Sequence, residues 1–368
     1  MIYLDNGATS FHKPDGVELA VLRAMRCCAN PGRGAYPAAM SAAHAVYHGR
    51  EVAAQLFDCR EEQVVFTQNC THGLNIAIRS LVKPGSRVVI SGFEHNAVTR
   101  PLHHLGACVT VAGRCLFDWA DTLEEFEKAL KSGADAAVFT HVSNVFGYIL
   151  PIAQMSELCH RYHVPFVVDA AQSAGSIPIS LRELGADFIA MPGHKGLLGP
   201  QGTGILLCGQ TGEPLMAGGT GSQSQDQTMP EELPERLEPG TMNVPGIAGL
   251  TAGMEYIQNV GMDHIFQREH LALRQCVQDL RRIGMTVFSG PNQASTVSFV
   301  PPVDCEILMQ ELACRGIAVR SGLHCAPLAH ERAGTLTTGT VRVSFGHDAH
   351  PWQNRILIRN IKQILETA

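Results

Sequence analysis

One lysine of this sequence lies in a setting that suits covalent chemistry. The chain has 368 residues and only six lysines. Lys195 follows a short apolar run at 188–191 and lies in the segment PGHKG (192–196), next to a glycine-containing turn at 199–202. Glycine lets the backbone approach a bound ligand closely. We therefore expect Lys195 to act on a ligand.

A carboxylate is expected close to this lysine. Asp169 ends an apolar run at 165–169, and a short helical pattern separates that run from the one leading to Lys195. A right-handed β-α-β crossover places the carboxyl ends of two parallel strands on the same edge of a sheet. Pyridoxal 5′-phosphate (PLP) requires such a pair, a lysine for covalent attachment and an acid beside the ring nitrogen. The two residues together predict a PLP site.

A thiol and a guanidinium group extend the expected chemistry. Cys325 lies in the loop RSGLHCAP (320–327), where Arg320 and His324 are its potentially cationic neighbours. A thiolate is the nucleophilic form of cysteine. Arg342, in a predicted strand, suits a carboxylate because a guanidinium group can donate two parallel hydrogen bonds. We expect a thiol nucleophile and a carboxylate-binding arginine.

Alternating short apolar runs and helical patterns must position these groups. Such alternation indicates an α/β fold, with a largely parallel sheet covered by helices on both faces. Ligands bind at the carboxyl ends of such strands. We predict strands at 63–67, 87–91, 108–112, 136–141, 165–169, 188–191 and 204–208. Helices are predicted at 41–56, 71–81, 97–105, 122–131, 152–162 and 181–184.

The stretch 209–245 is rich in Gly, Gln, Ser, Thr and Pro and predicts a long loop. Beyond it, helices are predicted at 246–260, 263–283, 304–315 and 353–366, and strands at 285–288, 295–300, 318–320 and 340–345. We predict a large domain at 1–245 and a small α+β domain at 246–368, with roughly the first 15 residues packing with the small domain.

Composition excludes several classes of protein. Hydrophobic residues make up 45% of the chain and charged residues 17%, which is typical of a globular protein. A net charge of −6 without a Lys/Arg cluster argues against nucleic acid and membrane surfaces as partners. The twelve cysteines show no C-x-x-C spacing, so we expect free thiols and no metal. No signal peptide or membrane-spanning run is recognised, which predicts a cytoplasmic location.

The motifs DAAQ (169–172) and GHK (193–195) resemble the PLP site of class V aminotransferases, a fold-type-I group that includes the cysteine desulfurases. The resemblance covers nearly the whole chain, from Tyr3 to Arg342. The loop 320–327 resembles the active-cysteine loop of the Suf-type (group II) desulfurases. The resemblance implies a mostly parallel seven-stranded sheet in the large domain, the small domain, and a homodimer.

The implied activity is PLP-dependent cysteine desulfuration. L-cysteine would become L-alanine, with its sulfur left as a persulfide on Cys325, and a sulfur-acceptor protein would be a further partner.

The resemblance also assigns residues to the cofactor phosphate. Cys70 and Thr71 would bind it at a helix N-terminus, where free N–H groups and the helix dipole favour an anion. His194 would approach the phosphate from another side. Thr241, in the long loop, would reach the phosphate in the other subunit of the dimer.

Further residues are implied at the cofactor ring and the substrate. His95 would stack on the ring and take part in catalysis with Lys195 and Cys325. Asn144 and Gln172 would contact the ring hydroxyl, and Asn144 would also contact the substrate. Arg342 would bind the substrate carboxylate, and Arg320 would bind substrate or have a structural role.

The sequence departs from the family pattern at three positions. Pro192 stands where many relatives have Ser or Thr, Cys70 replaces a common Thr, and Tyr36 stands where His is frequent. These departures concern details of phosphate and substrate binding and leave Lys195 and Asp169 in place.

Other functions stay open at this point. A selenocysteine lyase would use the same residues. Another class V reaction, such as transamination or racemisation, would make Cys325 incidental. A non-catalytic sulfur-relay or PLP-binding scaffold is disfavoured because Lys195, Asp169, Cys325 and Arg342 are all retained. A nicotinamide enzyme is disfavoured because no strand is followed by G-x-G-x-x-G, and no Walker A loop is present.

Overall fold

The computed structural model describes residues 1–32, 34–221 and 225–367. Within these ranges, helices and strands alternate along most of the chain. The helices are α1 (Asp15–Cys27), α2 (Pro37–Phe57), α3 (Cys70–Leu81), α4 (Asn96–His104), α5 (Trp119–Lys131), α6 (Ile152–Arg161), α7 (Leu181–Leu184), α8 (Val244–Val260), α9 (Met262–Arg282), α10 (Cys305–Cys314), α11 (Pro327–Ala333) and α12 (Pro351–Thr367). The strands are β1 (Ile2–Tyr3), β2 (Val64–Thr67), β3 (Arg87–Ser91), β4 (Cys108–Ala112), β5 (Ala136–Thr140), β6 (Phe166–Asp169), β7 (Phe188–Pro192), β8 (Gly204–Cys208), β9 (Thr286–Phe288), β10 (Thr296–Val300), β11 (Ile317–Ala318), β12 (Arg320–Gly322) and β13 (Thr340–Ser344).

Seven strands form the central sheet in the order β2-β8-β7-β6-β5-β3-β4. β8 runs antiparallel to both of its neighbours, and the remaining neighbouring pairs are parallel. The predicted mostly parallel, seven-stranded α/β sheet is therefore confirmed. Since β2 and β7 both oppose β8, they point the same way, and α3 starts at the edge where the parallel strands end.

Two hydrophobic cores cover the faces of this sheet. Val168 packs into the core beneath α2, α5, α6 and α8, and Val167 into the core beneath α3 and α4. Because successive strand residues point to opposite faces, both cores require apolar residues along the same strand. This explains why the strands are continuous apolar runs. Phe139 and Phe166 stack at 5.6 Å within the first core, and each buried ring stabilises the fold by roughly 2–3 kcal/mol.

A second, smaller sheet has the antiparallel order β12-β13-β10-β9. Its core combines residues between Ala272 and Ile364 with Leu4 from the N-terminal segment. β1 pairs in parallel with β11, so the chain's first strand lies beside the small sheet. Helix α8 packs on α1 and α2 and contributes Leu250 and Met254 to the larger core. The domain boundary at 245/246 stays a prediction.

Several elements differ from the prediction, among them the two-residue strand β1, which was not predicted. Helix α1 was not predicted, because Leu19 and Met25 are exposed and interrupt its apolar stripe. Helix α11 has seven residues, too few to show a helical period. The strand predicted at 318–320 is two short strands, β11 and β12, on either side of Val319.

Candidate active site

Lys195 and Asp169 lie at the carboxyl ends of neighbouring parallel strands. Asp169 is the last residue of β6 and pairs in register with Ala190 of β7, and Lys195 follows β7 by three residues. Both residues line one cavity. The structure therefore brings together the amine and the acid that the sequence paired.

The Lys195 side chain makes no hydrogen bond or ion pair within the described part of the chain. Burial lowers the pKa of this lysine below its ordinary value, and the nearby cation Arg342 lowers it further. A lowered pKa favours a neutral amine, which is the form that attacks a carbonyl carbon or accepts a proton.

Asp169 is 2% exposed. Its Oδ1 accepts hydrogen bonds from the amide of Ala171 at 2.9 Å and from the thiol of Cys70 at 3.5 Å. Its Oδ2 has no hydrogen-bond partner among the residues that the structure describes. Burial raises the pKa of Cys70 well above its usual value, and the Asp169 carboxylate adds to this effect. Cys70 is therefore a neutral thiol that donates to Asp169.

The N-terminus of α3 opens on the same cavity. Asn69 caps the helix by accepting a hydrogen bond from the amide of His72 at 2.9 Å. Cys70 and Thr71 form the first turn, and both line the cavity. Their amides belong to the helix end that lacks partners within the helix, and Thr71 is exposed. This end of the cavity suits an anion such as a phosphate.

His194 and Gln172 line the cavity, and both are tied to the N-terminal segment. His194 Nδ1 lies 3.0 Å from the Thr9 hydroxyl, and burial lowers the pKa of this histidine to about 4. The Gln172 side chain donates to the carbonyl of Gly7 at 2.9 Å through Nε2. Its Oε1 and the second N–H of Nε2 are left for other partners. The sequence prediction did not include these contacts.

His95 is the N-cap of α4 and lines the cavity. Its Nδ1 accepts a hydrogen bond from the amide of Ala97 at 3.0 Å, which places the proton of the neutral ring on Nε2. Burial lowers the pKa of His95. The preceding Glu94 is fully buried, and burial raises its pKa to about 8. The cavity wall at His95 is thus a neutral imidazole backed by a protonated acid at neutral pH.

The Cys325 loop is fastened to the rim of the cavity. Asn144 Nδ2 donates to the carbonyl of His324 at 2.7 Å, and the amide of Asn96 donates to the carbonyl of Cys325 at 2.8 Å. The Asn144 Oδ1 is buried without a partner, so it can still contact a ligand. Cys325 is exposed and is not among the residues that line the cavity.

Two residues of this loop adopt left-handed backbone conformations. His324 has φ 48° and Cys325 has φ 58°. Non-glycine residues rarely adopt such angles, and surrounding contacts must hold them there. His324 Nε2 lies 3.2 Å from the Thr340 hydroxyl, and its ring lies 5.8 Å from that of the fully buried His330. The turn therefore presents the thiol outward from a constrained loop.

The predicted carboxylate-binding arginine lies behind the wall of the cavity. Arg342 donates through Nη1 to the carbonyl of Asn144 at 2.9 Å and through Nη2 to Asp5 at 2.6 Å. Arg320 contacts the same Asp5. Sequence reasoning did not identify Asp5. The only sequence signal was its place in the N-terminal segment Tyr3-Leu4-Asp5-Asn6.

Thr241 does not reach this cavity within the chain. It is exposed and lines a separate groove together with Tyr47 and Arg50. Its segment is anchored by Glu238, which accepts hydrogen bonds from Arg50 at 2.9 and 2.5 Å and from the amide of Phe66 at 2.6 Å. The predicted contact of Thr241 with the other subunit stays a prediction.

Of the departures from the family pattern, Pro192 lies in the cavity wall and Tyr36 lies on the surface. Pro192 lines the cavity at the end of β7 and supplies no hydroxyl there. Tyr36 is exposed at the start of α2, and the neighbouring Arg33 lies outside the described residues. Thr140 and Val142 also line the cavity, although the sequence did not single them out.

Within residues 1–32, 34–221 and 225–367, no three His, Cys, Asp or Glu side chains are grouped to hold a metal ion. No helix in those ranges has the length and apolar character needed to cross a bilayer.

Comparisons with known proteins identify similar sequences and structures among the class V aminotransferases and cysteine desulfurases. The family model described as Aminotransferase class-V matches residues 2–351. A probable cysteine desulfurase of Methanothermobacter thermautotrophicus is 33% identical over 93% of this chain and 89% of the relative. One from Pyrococcus abyssi is 32% identical over 94% of this chain and 89% of the relative. The apo structure of a cysteine desulfurase from Thermococcus onnurineus NA1 superposes with a TM-score of 0.91 at 30% identity, over 100% of this chain and 95% of that one.

Proposed function

The chain belongs to the class V aminotransferase family, and we propose that it acts as a PLP-dependent cysteine desulfurase. It converts L-cysteine to L-alanine and retains the sulfur as a persulfide on an enzyme cysteine. The single observation that carries this activity is the Cys325 loop, which hydrogen bonds fasten to the rim of a cavity lined by Lys195 and Asp169.

The residues of the cavity fit PLP. The acceptor Oδ2 of Asp169 and the buried, unpartnered Oδ1 of Asn144 are available to a polar ring, and the start of α3 is available to a phosphate. Lys195 would attach the cofactor covalently, and Asp169 would keep the ring nitrogen protonated. When bound, PLP supplies the electron sink that labilises the substrate bonds at the α- and β-carbons.

Proton transfer falls to Lys195 in this proposal. Its lowered pKa favours the neutral amine, the form in which Nζ can accept the α-proton of the substrate and later return it. Because His95 is neutral and keeps its proton on Nε2, it can cover the cofactor without adding a positive charge beside Lys195.

Sulfur transfer falls to Cys325. Its thiolate forms a bond to the substrate sulfur while the substrate Cβ–S bond breaks, and after protonation at Cβ the carbon skeleton leaves as alanine. The sulfur then remains on Cys325 as a persulfide. Because Cys325 is exposed, a second protein could take the sulfur from it. Such a sulfur acceptor is part of the proposal, as is the Suf-type character of the loop.

The other activities have less support. The curated relatives named above are called cysteine desulfurases, which favours sulfur over selenium. Transamination or racemisation would give no role to the thiol at the cavity rim.

A homodimer is part of this proposal. Leu19, Met25, Met40 and Tyr47 expose apolar side chains on α1 and α2, and the groove beside Tyr47 carries Thr241. An apolar surface of this kind suits a second copy of the chain. Thr241 would then reach the phosphate in the other subunit.

We also propose a cytoplasmic location. All twelve cysteines are free, and free thiols persist in reducing compartments.

The test is to incubate purified protein with L-cysteine and with L-selenocysteine, with and without reductant. Alanine and sulfide or selenide are quantified, and the mass of the Cys325 peptide is measured by mass spectrometry to detect an added sulfur. We expect alanine and a persulfide on Cys325. Cys325→Ala should keep its cofactor absorbance but form no alanine from cysteine, whereas Cys314→Ala, which removes another exposed thiol, should match the parent protein. A keto-acid product without sulfide would contradict the proposal.

A further inference from the structure

A carboxylate from the N-terminal segment lies between two arginines of the small sheet. Asp5 Oδ1 accepts a hydrogen bond from Arg342 Nη2 at 2.6 Å. Asp5 Oδ2 accepts from Arg320 Nε at 3.1 Å and lies 3.0 Å from Arg320 Nη2. The Arg342 side chain is 3% exposed and that of Arg320 is 51% exposed. Asp5 therefore joins one buried and one half-exposed guanidinium group.

The two arginines need such a bridge. Arg320 and Arg342 are direct partners in the antiparallel pair β12–β13. Like charges at such positions repel each other, and a buried charge without a partner is strongly unfavourable. The Asp5 carboxylate reduces the repulsion between the two arginines and also pairs with the buried charge of Arg342.

The orientation of Arg342 is fixed from two sides. Nη2 is held by Asp5, and Nη1 donates at 2.9 Å to the carbonyl of Asn144, a residue of the cavity wall. Nε is buried and has no hydrogen-bond partner. The plane of the Arg342 guanidinium group is thus fixed, and its Nε remains free to donate a hydrogen bond.

The net charge of the Asp5, Arg320 and Arg342 side chains can be neutralised by one further carboxylate. Guanidinium groups stay ionised in proteins, so Arg320 and Arg342 contribute two positive charges and Asp5 balances one of them. One positive charge is left over. An α-amino acid without an acidic side chain brings a single carboxylate to meet it.

We propose that Asp5 is a positioning residue for the substrate carboxylate, holding Arg342 and Arg320 in one orientation with a single positive charge to spare. The inference rests on the proposed function and on the expected binding of the substrate carboxylate by Arg342. It assigns selectivity for monocarboxylate amino acids to an N-terminal residue that touches the arginines and no reacting atom.

Asp5→Asn tests this, since it keeps the side-chain shape and removes the charge. The KM for L-cysteine should rise at least about tenfold, as expected when a charge-assisted hydrogen bond is lost, while kcat changes less than about twofold. The dissociation constant for the product L-alanine, measured from cofactor absorbance, should rise by a similar factor. Asp5→Glu should restore part of the loss. Asp15→Asn, which removes an exposed carboxylate at the start of α1, should have no effect.

An unchanged or lower KM in Asp5→Asn, with unchanged affinity for L-alanine, would overturn the inference. Should Asp5→Asn fail to fold, Arg320→Gln removes the surplus charge instead, and an unchanged KM there would overturn it equally. If the parent protein forms no alanine from L-cysteine, the proposed function fails. The binding of L-alanine then still decides the role of Asp5.

Discussion

The main-chain carbonyl of Cys325 accepts a hydrogen bond from the main-chain amide of Asn96 at 2.8 Å. Asn96 directly follows His95, the N-cap of α4. One peptide unit therefore links the proposed nucleophile to the proposed ring-stacking residue. We expect the position of the thiol to depend on this link, because Cys325 itself adopts an unfavourable left-handed conformation.

Asn96→Pro should weaken desulfuration and leave cofactor binding intact. Asn96 is the first residue of α4, a position that tolerates proline. His95 has φ −77° and ψ 155°, the extended conformation preferred before proline. The variant removes the donor to Cys325, a bond worth about 1 kcal/mol, so kcat should fall at least about fivefold.

Asn96→Ala is the matched control. It keeps the amide and removes only the side chain, whose Oδ1 accepts a hydrogen bond from Thr99 at 3.4 Å. If both variants lose activity equally, the main-chain hydrogen bond is not what positions the thiol.

Lys195→Ala should abolish both the covalent attachment of PLP and the turnover of L-cysteine. Borohydride reduction should fix the cofactor to the peptide carrying residue 195 in the parent protein only, as read by mass spectrometry. Lys83→Ala, at an exposed lysine, should behave like the parent protein. Turnover by Lys195→Ala with an imine absorbance band would show that another residue attaches the cofactor.

Gly175→Ala should reduce PLP retention. Gly175 has φ +95°, and a Cβ there would lie 2.2 Å from the carbonyl oxygen of Gly196, the residue after Lys195. The backbone that carries the lysine must then move. The free energy of unfolding should fall by about 1–3 kcal/mol, measured by urea denaturation alongside cofactor content.

Gly202→Ala separates the effect of backbone strain from the effect of the contact with Gly196. Gly202 has φ +78°, but a Cβ there would meet no atom within 4 Å. This variant bears the backbone strain alone and should retain PLP. Equal loss of PLP in both variants would rule out the contact with Gly196 as the cause.

His330 should make the fold less stable in acid. Its ring is fully buried, with Nδ1 2.8 Å from the Thr335 hydroxyl, and burial lowers its pKa to about 4. An unfolded chain binds this proton near pH 6.5, so between those values the unfolded state holds more protons. The contribution to stability is complete above pH 6.5 and is lost as the pH falls towards 4. At pH 5 the loss should be about 2 kcal/mol.

The measurement is the free energy of urea unfolding near neutral pH and at about pH 5. His330→Phe keeps an aromatic ring against Phe146 and removes the titrating group. The variant should lose less stability between the two pH values than the parent protein. Identical losses would show that His330 can be protonated inside the fold.

The sheet and the Lys195–Asp169 pair could be predicted because their signals are local. Each buried parallel strand is an apolar run, and the crossover rule places successive strand ends together. The predicted strands of the central sheet consequently agree with the structure to within one residue at each end. The glycines around Lys195 added a signal for close approach of the backbone.

Asp5 and the shape of the Cys325 loop could not be predicted in this way. Asp5 lies 315 and 337 residues from Arg320 and Arg342, and no sequence period reports a pairing over that distance. The left-handed turn at His324 and Cys325 has no local signal either, since such conformations are usually taken by glycine or asparagine. Contacts with Asn144 and Asn96, distant in sequence, hold it.

The pairing of Ile2 with Ile317 has a consequence for biosynthesis. A growing polypeptide makes β1 about three hundred residues before β11, and so distant a partnership forms late because a long loop must close first. The larger sheet can assemble while translation continues, but the Asp5 bridge has to wait for both arginines. A ribosome-bound chain would therefore acquire the attachment lysine long before it could orient an amino acid.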